Sequence, residues 1–419
     1  MNNSRKTTLR NEVDFLVGFP FKSEGYTSDG VRLLRGDNIG QGILTWSDAK
    51  KWPTSQREAF VPYELQEGDI VLAMDRPWID AGLKYASVSR YDLPSLLVQR
   101  TARLRGGKNL DTKFLKYVIG SPQFTKYVKY ITTGSLVPHI SGDQIKDFSV
   151  HLPHLNTQKK IAAVLSSLDA KIDCNNRINA ELEAMAKTLY DYWFVQFDFP
   201  DTNGKPYKSS GGKMVYNATL KREIPEGWCD SSVLAVADLL GGGTPTKKKP
   251  EYWDGDIPFF TPTDADGTIF KFSTADYITK EGLKGSSTKL FGKHTVFITA
   301  RGSVGRLVLA GVDMAMNQSC YALRAKAGIS HVFLFFLAKE LIHHLQVKSS
   351  GSVFDSIVSN DIELTKLAIP KGELIEKFAA VFELAFEKIA NNTKENQQLA
   401  QLRDWLLPLL MNGQVTIFR

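Results

Sequence analysis

Basic and polar side chains recur in short loops of the sequence that contain Gly or Pro, where they could bind an anion or the polar edge of a flat ring. Lys and Arg neutralise phosphates, whereas Asn, Gln, Ser, Thr and His can hydrogen-bond to nucleobase edges. The chemistry predicted for these loops is therefore non-covalent binding of a nucleic acid. The candidates in the first half are Lys22, Arg35, Asn38, Arg76, Ser135 and His139, and those in the second half are Thr244, Thr246, Lys247, Lys248, Thr261, Arg301, Arg306, Asn317, Gln318 and Ser352.

Each candidate also has a purely structural interpretation. The run Lys247 to Lys249 is equally well explained as a solvated turn, and the amides of Asn317 and Gln318 are more often structural in loops than adenine-binding. Arg76 and Arg301 each follow an apolar, strand-like run, which favours a phosphate or base contact over a surface ion pair.

Motifs for covalent chemistry are missing from the sequence. An amino-methyltransferase loop of Asn/Asp-Pro-Pro-aromatic type is absent, and Gly212-Lys213 and Gly292-Lys293 lack the rest of a phosphate-binding GxxxxGK[ST] loop. We find no carboxylate pair with a nearby E-x-K lysine, as a metal-dependent nuclease would need, and the His pairs lack further ligands at metal-binding spacing. We therefore expect a chain that is not itself an enzyme and binds no metal or cofactor.

The composition is that of a globular protein. The 419 residues are 43% hydrophobic and 23% charged, enough for two to four modules with real cores. The net charge of +7 arises mainly in residues 1–153 and 228–371, which weakly favours an anionic partner. Cys174, Cys229 and Cys320 are far apart, and no apolar stretch resembles a signal peptide or a membrane span. These features predict a cytoplasmic protein with no membrane contact.

An internal repeat organises the chain, because the second half echoes the first at an offset close to 217 residues. Residues 133–140 match residues 350–357, and at slightly larger offsets Leu104 matches Leu323 and Arg76 matches Arg301. The predicted segments are a first globular domain at 1–153, a helix at 154–197, an exposed linker at 198–227, a second globular domain at 228–371, a second helix at 372–412 and a tail at 413–419.

Both predicted helices carry a heptad seam. Each helix spans about 40 residues, too long for a single globular core, so the two seams should pair. An antiparallel pairing places Asn175 near Asn396 and Asn179 near Asn392; a parallel pairing also matches them, but two similar halves close more naturally when antiparallel. Arg403 interrupts the second seam, with Leu402 beside it to cover the gap. A core helix in a bundle is the simpler alternative. The seam residues include Ile161, Leu165, Leu168, Ile172, Asn175, Asn179, Leu182, Phe378, Phe382, Ile389, Asn392, Asn396 and Leu399.

Several stretches resemble the specificity subunits of type I restriction-modification systems. They cover nearly the whole chain, and together they are specific although each is modest alone. The matching stretches are Gly18-Phe-Pro-Phe-Lys-Ser23, the segment from Gln158 to Ile172, the segment from Phe197 to Val215, Ile224-Pro-Glu-Gly-Trp228, Gly242-Gly-Thr-Pro-Thr246 and Pro250-Glu-Tyr-Trp-Asp-Gly255.

The resemblance implies an α+β fold: two similar α/β target recognition domains, separated by two long helices that form an antiparallel coiled coil, in a pseudo-two-fold repeat. Each domain would read one half of a bipartite, asymmetric site in double-stranded DNA. The implied partners are two modification subunits, which bring S-adenosylmethionine and methylate adenine, and restriction subunits, which bring ATP and Mg²⁺. The first domain lacks the Ile-Pro-x-Gly-Trp opening of the second, so its N-terminal edge is the least defined boundary.

Two other interpretations remain open. A coiled-coil scaffold that assembles partners without reading DNA would share the helices and the mild basic charge. A fused restriction enzyme would need a catalytic domain, and no segment is left to house one.

Overall fold

The computed structural model describes residues 4–79, 81–132, 138–348, 355–370 and 372–415. The chain forms two compact units: the N-terminal unit is Met1–Lys171 with Leu399–Arg419, and the central unit is Ile172–Gln398. Within the described ranges, no helix is long and apolar enough to cross a bilayer.

A five-stranded mixed sheet lies in each unit. In both sheets the first four strands pair antiparallel and the fifth pairs parallel with the fourth. In spatial order the strands of the N-terminal unit are Val13–Val17, Thr101–Gly106, Ile70–Ala73, Tyr85–Ser87 and Gln41–Gly42, and those of the central unit are Ala237–Gly241, Cys320–Ala325, Val296–Thr299, Leu307–Ala310 and Phe270–Lys271.

A three-stranded sheet repeats in the same way, with one parallel and one antiparallel pair. Its strands are Ser95–Leu97, Val31–Leu34 and Lys51–Trp52 in the N-terminal unit and Ala315–Met316, Trp253–Phe260 and Asp276–Ile278 in the central unit. An antiparallel pair closes each unit, Arg5–Thr8 with Ser149–Leu152 and Cys229–Ser231 with Leu367–Ile369. The predicted duplication and α+β class are thus confirmed.

Short helices differ more between the units than the sheets do. The N-terminal unit has Thr112–Ile119 and Pro122–Ile131, whereas the central unit has the single helix His331–Lys348. The small helices Gly142–Lys146 and Ser359–Leu364 match each other, and Lys280–Lys284 belongs to the central unit.

Two long helices, Leu155–Tyr190 and Gly372–Met411, contribute to both units, and a π-helical turn at Asp191–Val195 extends the first. In the N-terminal unit Ile161 and Leu165, early in the first helix, share a core with Leu407 and Leu410, late in the second. The order is reversed in the central unit, where late residues of the first helix pack with early residues of the second. The helices are therefore antiparallel.

Amides pair across the helices in the central unit. Asn175 Nδ2 donates to Asn396 Oδ1 at 2.9 Å, and Asn392 Nδ2 donates to Asn179 Oδ1 at 2.8 Å, as the antiparallel alignment predicts. Hydrogen bonding inside the pair offsets part of the cost of burying these polar groups, although Asn175 Oδ1 has no partner among the described residues. Of the other seam residues, Ile161, Leu165, Phe378, Phe382 and Ile389 are buried, and Leu168, Ile172, Leu182 and Leu399 are half-buried.

Asp169 joins the N-terminal unit's head, its globular part, to both of its helical segments. Its carboxylate accepts hydrogen bonds from Arg403 Nη1 at 2.9 Å and from Tyr117 Oη at 2.8 Å, and it pairs with Lys116. Burial raises the pKa of Asp169, but the charge of Lys116 and the hydrogen bonds outweigh it, so the pKa is lowered overall. Arg403 is thus satisfied by an ion pair. The prediction that Leu402 covers a gap there is wrong, because Leu402 is 42% exposed.

The central unit places aromatic rings where the N-terminal unit has these charges. At the offset of the repeat, Phe386 occupies the position of Asp169, and it packs against Phe335 and Phe336 with ring centroids 6.0 and 5.8 Å apart. Each head is therefore fixed to the helical segments of its own unit by different chemistry, ionic in the N-terminal unit and aromatic in the central unit.

Asp169→Asn is expected to lower the free energy of unfolding by about 1–3 kcal/mol near neutral pH, because it removes the charge that Lys116 and Arg403 face. A carboxyl whose pKa is lowered in the folded state stabilises above its unfolded pKa of about 3.9 and loses that effect as pH falls through the folded value. Urea denaturation at about pH 7 and about pH 3 should show a larger deficit at the higher pH. The matched control is the exposed Asp173→Asn; equal losses in both variants would contradict this role.

Residues 198–227, predicted as an exposed linker, are mostly exposed but include a few buried residues that anchor the segment. Asp198 is buried and accepts hydrogen bonds from Ser209 N and Oγ at 2.7 and 2.6 Å. The strands Met214–Asn217 and Arg222–Pro225 form a hairpin, and buried Ile224 packs with Phe197. The segment is rich in Gly, Ser and Lys, and this composition predicted an exposed linker because composition does not reveal the few residues that anchor it.

Candidate nucleic-acid interface

The chain turns sharply after strand Ile70–Ala73 in the N-terminal unit. Arg76 is exposed and has φ +44°, a left-handed conformation that is unusual for a residue other than Gly. Its N–H donates to Pro138 O at 2.7 Å, and Ile140 N–H donates to Met74 O at 2.9 Å. These hydrogen bonds fasten the turn to the chain that follows residue 137.

The same turn recurs after strand Val296–Thr299 in the central unit. Ile357 N–H donates to Ala300 O at 2.9 Å. Arg301 and Ser356 form an antiparallel backbone β-bridge, as Asp75 and His139 do in the N-terminal unit. The structural counterpart of Arg301 is therefore Asp75. The sequence-based match of Arg301 to Arg76 is wrong by one residue, because the insertions between the halves obscured the register.

Asp75 organises the exposed side chains around the N-terminal turn. Its carboxylate pairs with Arg100 Nη1 and with His139 Nδ1, each at 2.6 Å. Partial burial raises the pKa of Asp75, but hydrogen bonds from Arg100 and His139 bring it below its ordinary value. The side chain of Arg100 is 70% exposed. The sequence analysis did not select Arg100. The repeat could have identified it, because its counterpart Ser319 directly follows Gln318, which was a candidate.

A second turn lies beside the first. Gly36 lies against Ala73, where an added Cβ would make an ordinary contact at 3.9 Å, and the Arg35 guanidinium pairs with Asp37 at 3.4 Å. Burial lowers the pKa of Lys84, and the Arg76 charge adds to the effect while Asp37 opposes it. Lys84, which the sequence analysis also missed, thus lies near Arg76 and Asp37.

Asn38 and Thr261 shape turns and do not project outward. Asn38 is 6% exposed; its Oδ1 accepts from Arg35 N–H at 3.0 Å and its Nδ2 donates to Thr45 O at 3.0 Å. In the equivalent turn of the central unit, Asp264 accepts from the Thr261 N–H and hydroxyl, both at 2.8 Å. The prediction that Asn38 reads bases is contradicted because both ends of its amide are occupied.

Two equivalent loops carry the remaining lysines. Phe19 N–H donates to Leu97 O in the N-terminal unit, and Gly243 N–H donates to Met316 O in the central unit, both at 3.0 Å. Gly242 is required here, because a Cβ would lie 2.1 Å from Asn317 O. Beyond these anchors the side chains of Lys22, Thr246, Lys247 and Lys248 are exposed.

Amide and hydroxyl groups meet at the corresponding edge of the central unit. The Thr244 hydroxyl donates to Gln318 Oε1, and Asn317 Oδ1 accepts from Ser319 N–H at 3.0 Å. The oxygen of each amide therefore has a structural partner, and among the described residues no hydrogen bond engages the amide N–H groups. The Arg306 guanidinium donates to Ala265 O and so has less freedom than Arg301. Ser135 and Ser352 lie outside the described residues.

Together the turns give each unit an edge rich in cations and hydrogen-bond donors. Such an edge can bind phosphate oxygens through Arg and Lys and the acceptor atoms of bases through guanidinium and amide groups. The side chains stand on loops held by strand-end hydrogen bonds, so their positions are fixed by a rigid scaffold.

The model of the type I restriction modification DNA specificity domain matches residues 58–184 and 225–401, which is most of the chain. The chain belongs to this DNA specificity family. One match lies in each half of the repeat, so each half supplies one specificity domain.

Relatives in this specificity family include the type I restriction enzyme MjaIX specificity subunit of Methanocaldococcus jannaschii, 27% identical over 73% of this chain and 69% of that protein. The EcoAI specificity subunit of Escherichia coli is 36% identical over 43% of this chain and 30% of that protein. The crystal structure of a type I S subunit from M. genitalium has a TM-score of 0.53 at 15% identity, covering 98% of this chain and 96% of that one, which supports the shared fold.

Proposed function

We propose that each unit reads one half of a bipartite, asymmetric sequence in double-stranded DNA. The observation that carries the proposal is the duplicated edge: equivalent turns present Arg76, Arg100 and His139 in one unit and Arg301 and Gln318 in the other. Membership of a DNA specificity family supports it, and the different side chains on one scaffold account for an asymmetric target.

The chain acts within a type I restriction-modification complex, and we propose two modification subunits and restriction subunits as its partners. In this proposal the partners bring S-adenosylmethionine, ATP and Mg²⁺, and this chain performs no catalysis. Exposed apolar side chains on the long helices support docking there, since Leu384 is 76% exposed and Met185 60% exposed in the central unit, and Trp405 is 63% exposed in the N-terminal unit.

Binding of the full-length chain, with and without modification subunits, to duplex DNA across a salt series tests the proposal. The logarithm of the binding constant should fall linearly with the logarithm of salt concentration, with a slope of about −0.9 per neutralised phosphate. Arg76→Ala should make that slope shallower by about one such unit if Arg76 contacts a phosphate.

A matched control is Arg10→Ala, whose guanidinium is held by Asp143 and Asp147 and should leave the slope unchanged. A coiled-coil scaffold that does not read DNA would show no binding under any of these conditions. That result, obtained with modification subunits present, would refute the proposed function.

A further inference from the structure

Three chain segments cross at the same point of both units, held by matching backbone hydrogen bonds. In the N-terminal unit Met74 N–H donates to Arg100 O and Ile140 N–H donates to Met74 O, both at 2.9 Å. In the central unit Ala300 N–H donates to Ser319 O at 2.8 Å and Ile357 N–H donates to Ala300 O at 2.9 Å. The backbone framework at this crossing is therefore the same in both units.

The side chains at the crossing are different in kind. We name them the crossing-point triad: Asp75, Arg100 and His139 in the N-terminal unit, and Arg301, Ser319 and Ser356 in the central unit. At equivalent positions, the carboxylate of Asp75 is replaced by the guanidinium of Arg301. The guanidinium of Arg100 is replaced by the hydroxyl of Ser319, and the imidazole of His139 by the hydroxyl of Ser356. The side chains of Arg100 and His139 are 70% and 50% exposed, and Arg301 and Ser356 are also exposed, so a ligand can reach both triads.

Asp75 limits the orientations that its two partners can adopt. One carboxylate oxygen bonds Arg100 and the other bonds His139, so the guanidinium and the imidazole are held on either side of a single group. The left-handed φ of +63° at Arg100 also fixes the direction in which its side chain leaves the backbone. The central triad has no carboxylate, and its guanidinium projects from the segment that carries Asp75 in the other unit.

We propose that the crossing-point triad sets the difference between the two half-sites, with Asp75 as a positioning residue that aims Arg100 at a guanine in the half-site of the N-terminal unit. This inference rests on the proposed function. An Arg guanidinium supplies two parallel N–H donors to guanine O6 and N7, and its selectivity depends on orientation. The guanidinium projects from the segment of Arg100 in one unit and from the segment of Arg301 in the other. It should therefore reach a different base pair in each half-site.

The test replaces the N-terminal triad by the central one, Asp75→Arg, Arg100→Ser and His139→Ser together, in the full-length chain with its modification subunits. Sequencing of methylated adenines after modification of a mixed DNA substrate reads out both half-sites at once. We expect the half-site of the N-terminal unit to change at one or more base pairs and the other to stay the same. Arg10→Ser is the matched control and should change neither.

If the methylated sequence is unchanged in both halves, the triad proposal is overturned while the proposed function stands. If the unmodified chain itself yields no bipartite sequence, the proposed function fails, and this inference with it. If the triple variant does not fold, two conservative single variants test the triad proposal instead.

Arg100→Lys and Asp75→Asn should each reduce the preference for the target duplex over one with a substituted base pair by about 5- to 150-fold, the range for one bidentate base contact. Asp75→Glu, which keeps the carboxylate, should recover part of it. An unchanged preference in Asp75→Asn would show that the carboxylate does not position Arg100.

Discussion

Exchanging residues 228–371 for the corresponding segment of another specificity-family member is expected to change one half of the recognised sequence and leave the other half unaltered. The reason is that this segment contains a complete five-stranded sheet with its own core, while the N-terminal unit has a separate one. Each changed base pair typically costs about 1–3 kcal/mol, so three changes would remove about 3–9 kcal/mol of affinity for the old half-site.

The graft should keep Phe335 and Phe336, because these rings pack against Phe386 of the second long helix. A parallel graft with Ala at both positions is the control for this junction and should lower stability without restoring the old specificity. Methylated-adenine sequencing of the reassembled complex reads out the target. A change in both half-sites, or in neither, would contradict independent reading by the two units.

Removing one heptad from each long helix is expected to shorten the gap between half-sites by about 10 Å, equivalent to roughly three base pairs of B-DNA. Deleting residues 170–176 and 395–401 together keeps both seams in phase. It removes the Asn175–Asn396 pair, keeps the Asn179–Asn392 pair, and leaves Arg403 opposite Asp169.

The control deletes residues 170–176 alone, which puts the two seams out of register and should destabilise the helix pair instead of shortening the gap. The measurement is again the methylated sequence, now read for its internal spacing. A complex that folds with both deletions and still recognises the original gap would show that the helices do not set the spacing.

The heptad pattern predicted the helix pairing because periodicity is a local property of sequence. Its limits appear near Pro408. The heptad that runs through Leu399 and Arg403 predicts Leu406 as the next seam residue, but the structure buries Leu407 and leaves Leu406 only half-buried. A proline inside a helix has no N–H to donate to the preceding turn, so the helical phase is least constrained there. The ionic role of Arg403 could not be read from the seam, since its partner Asp169 is 234 residues away.

The sequence by itself determined the duplication, the positions at which asparagines pair across the two helices and the family to which its stretches point. Tertiary structure alone decided which loop residues face outward. Asn38 turned inward because nearby backbone groups satisfy both ends of its amide, whereas Arg100 became exposed beside Asp75, 25 residues before it, and His139, 64 residues after Asp75. Periodicity and repeats are encoded along the chain, but contacts between distant segments depend on how sheets and turns pack, and those contacts determine which donors remain free to bind.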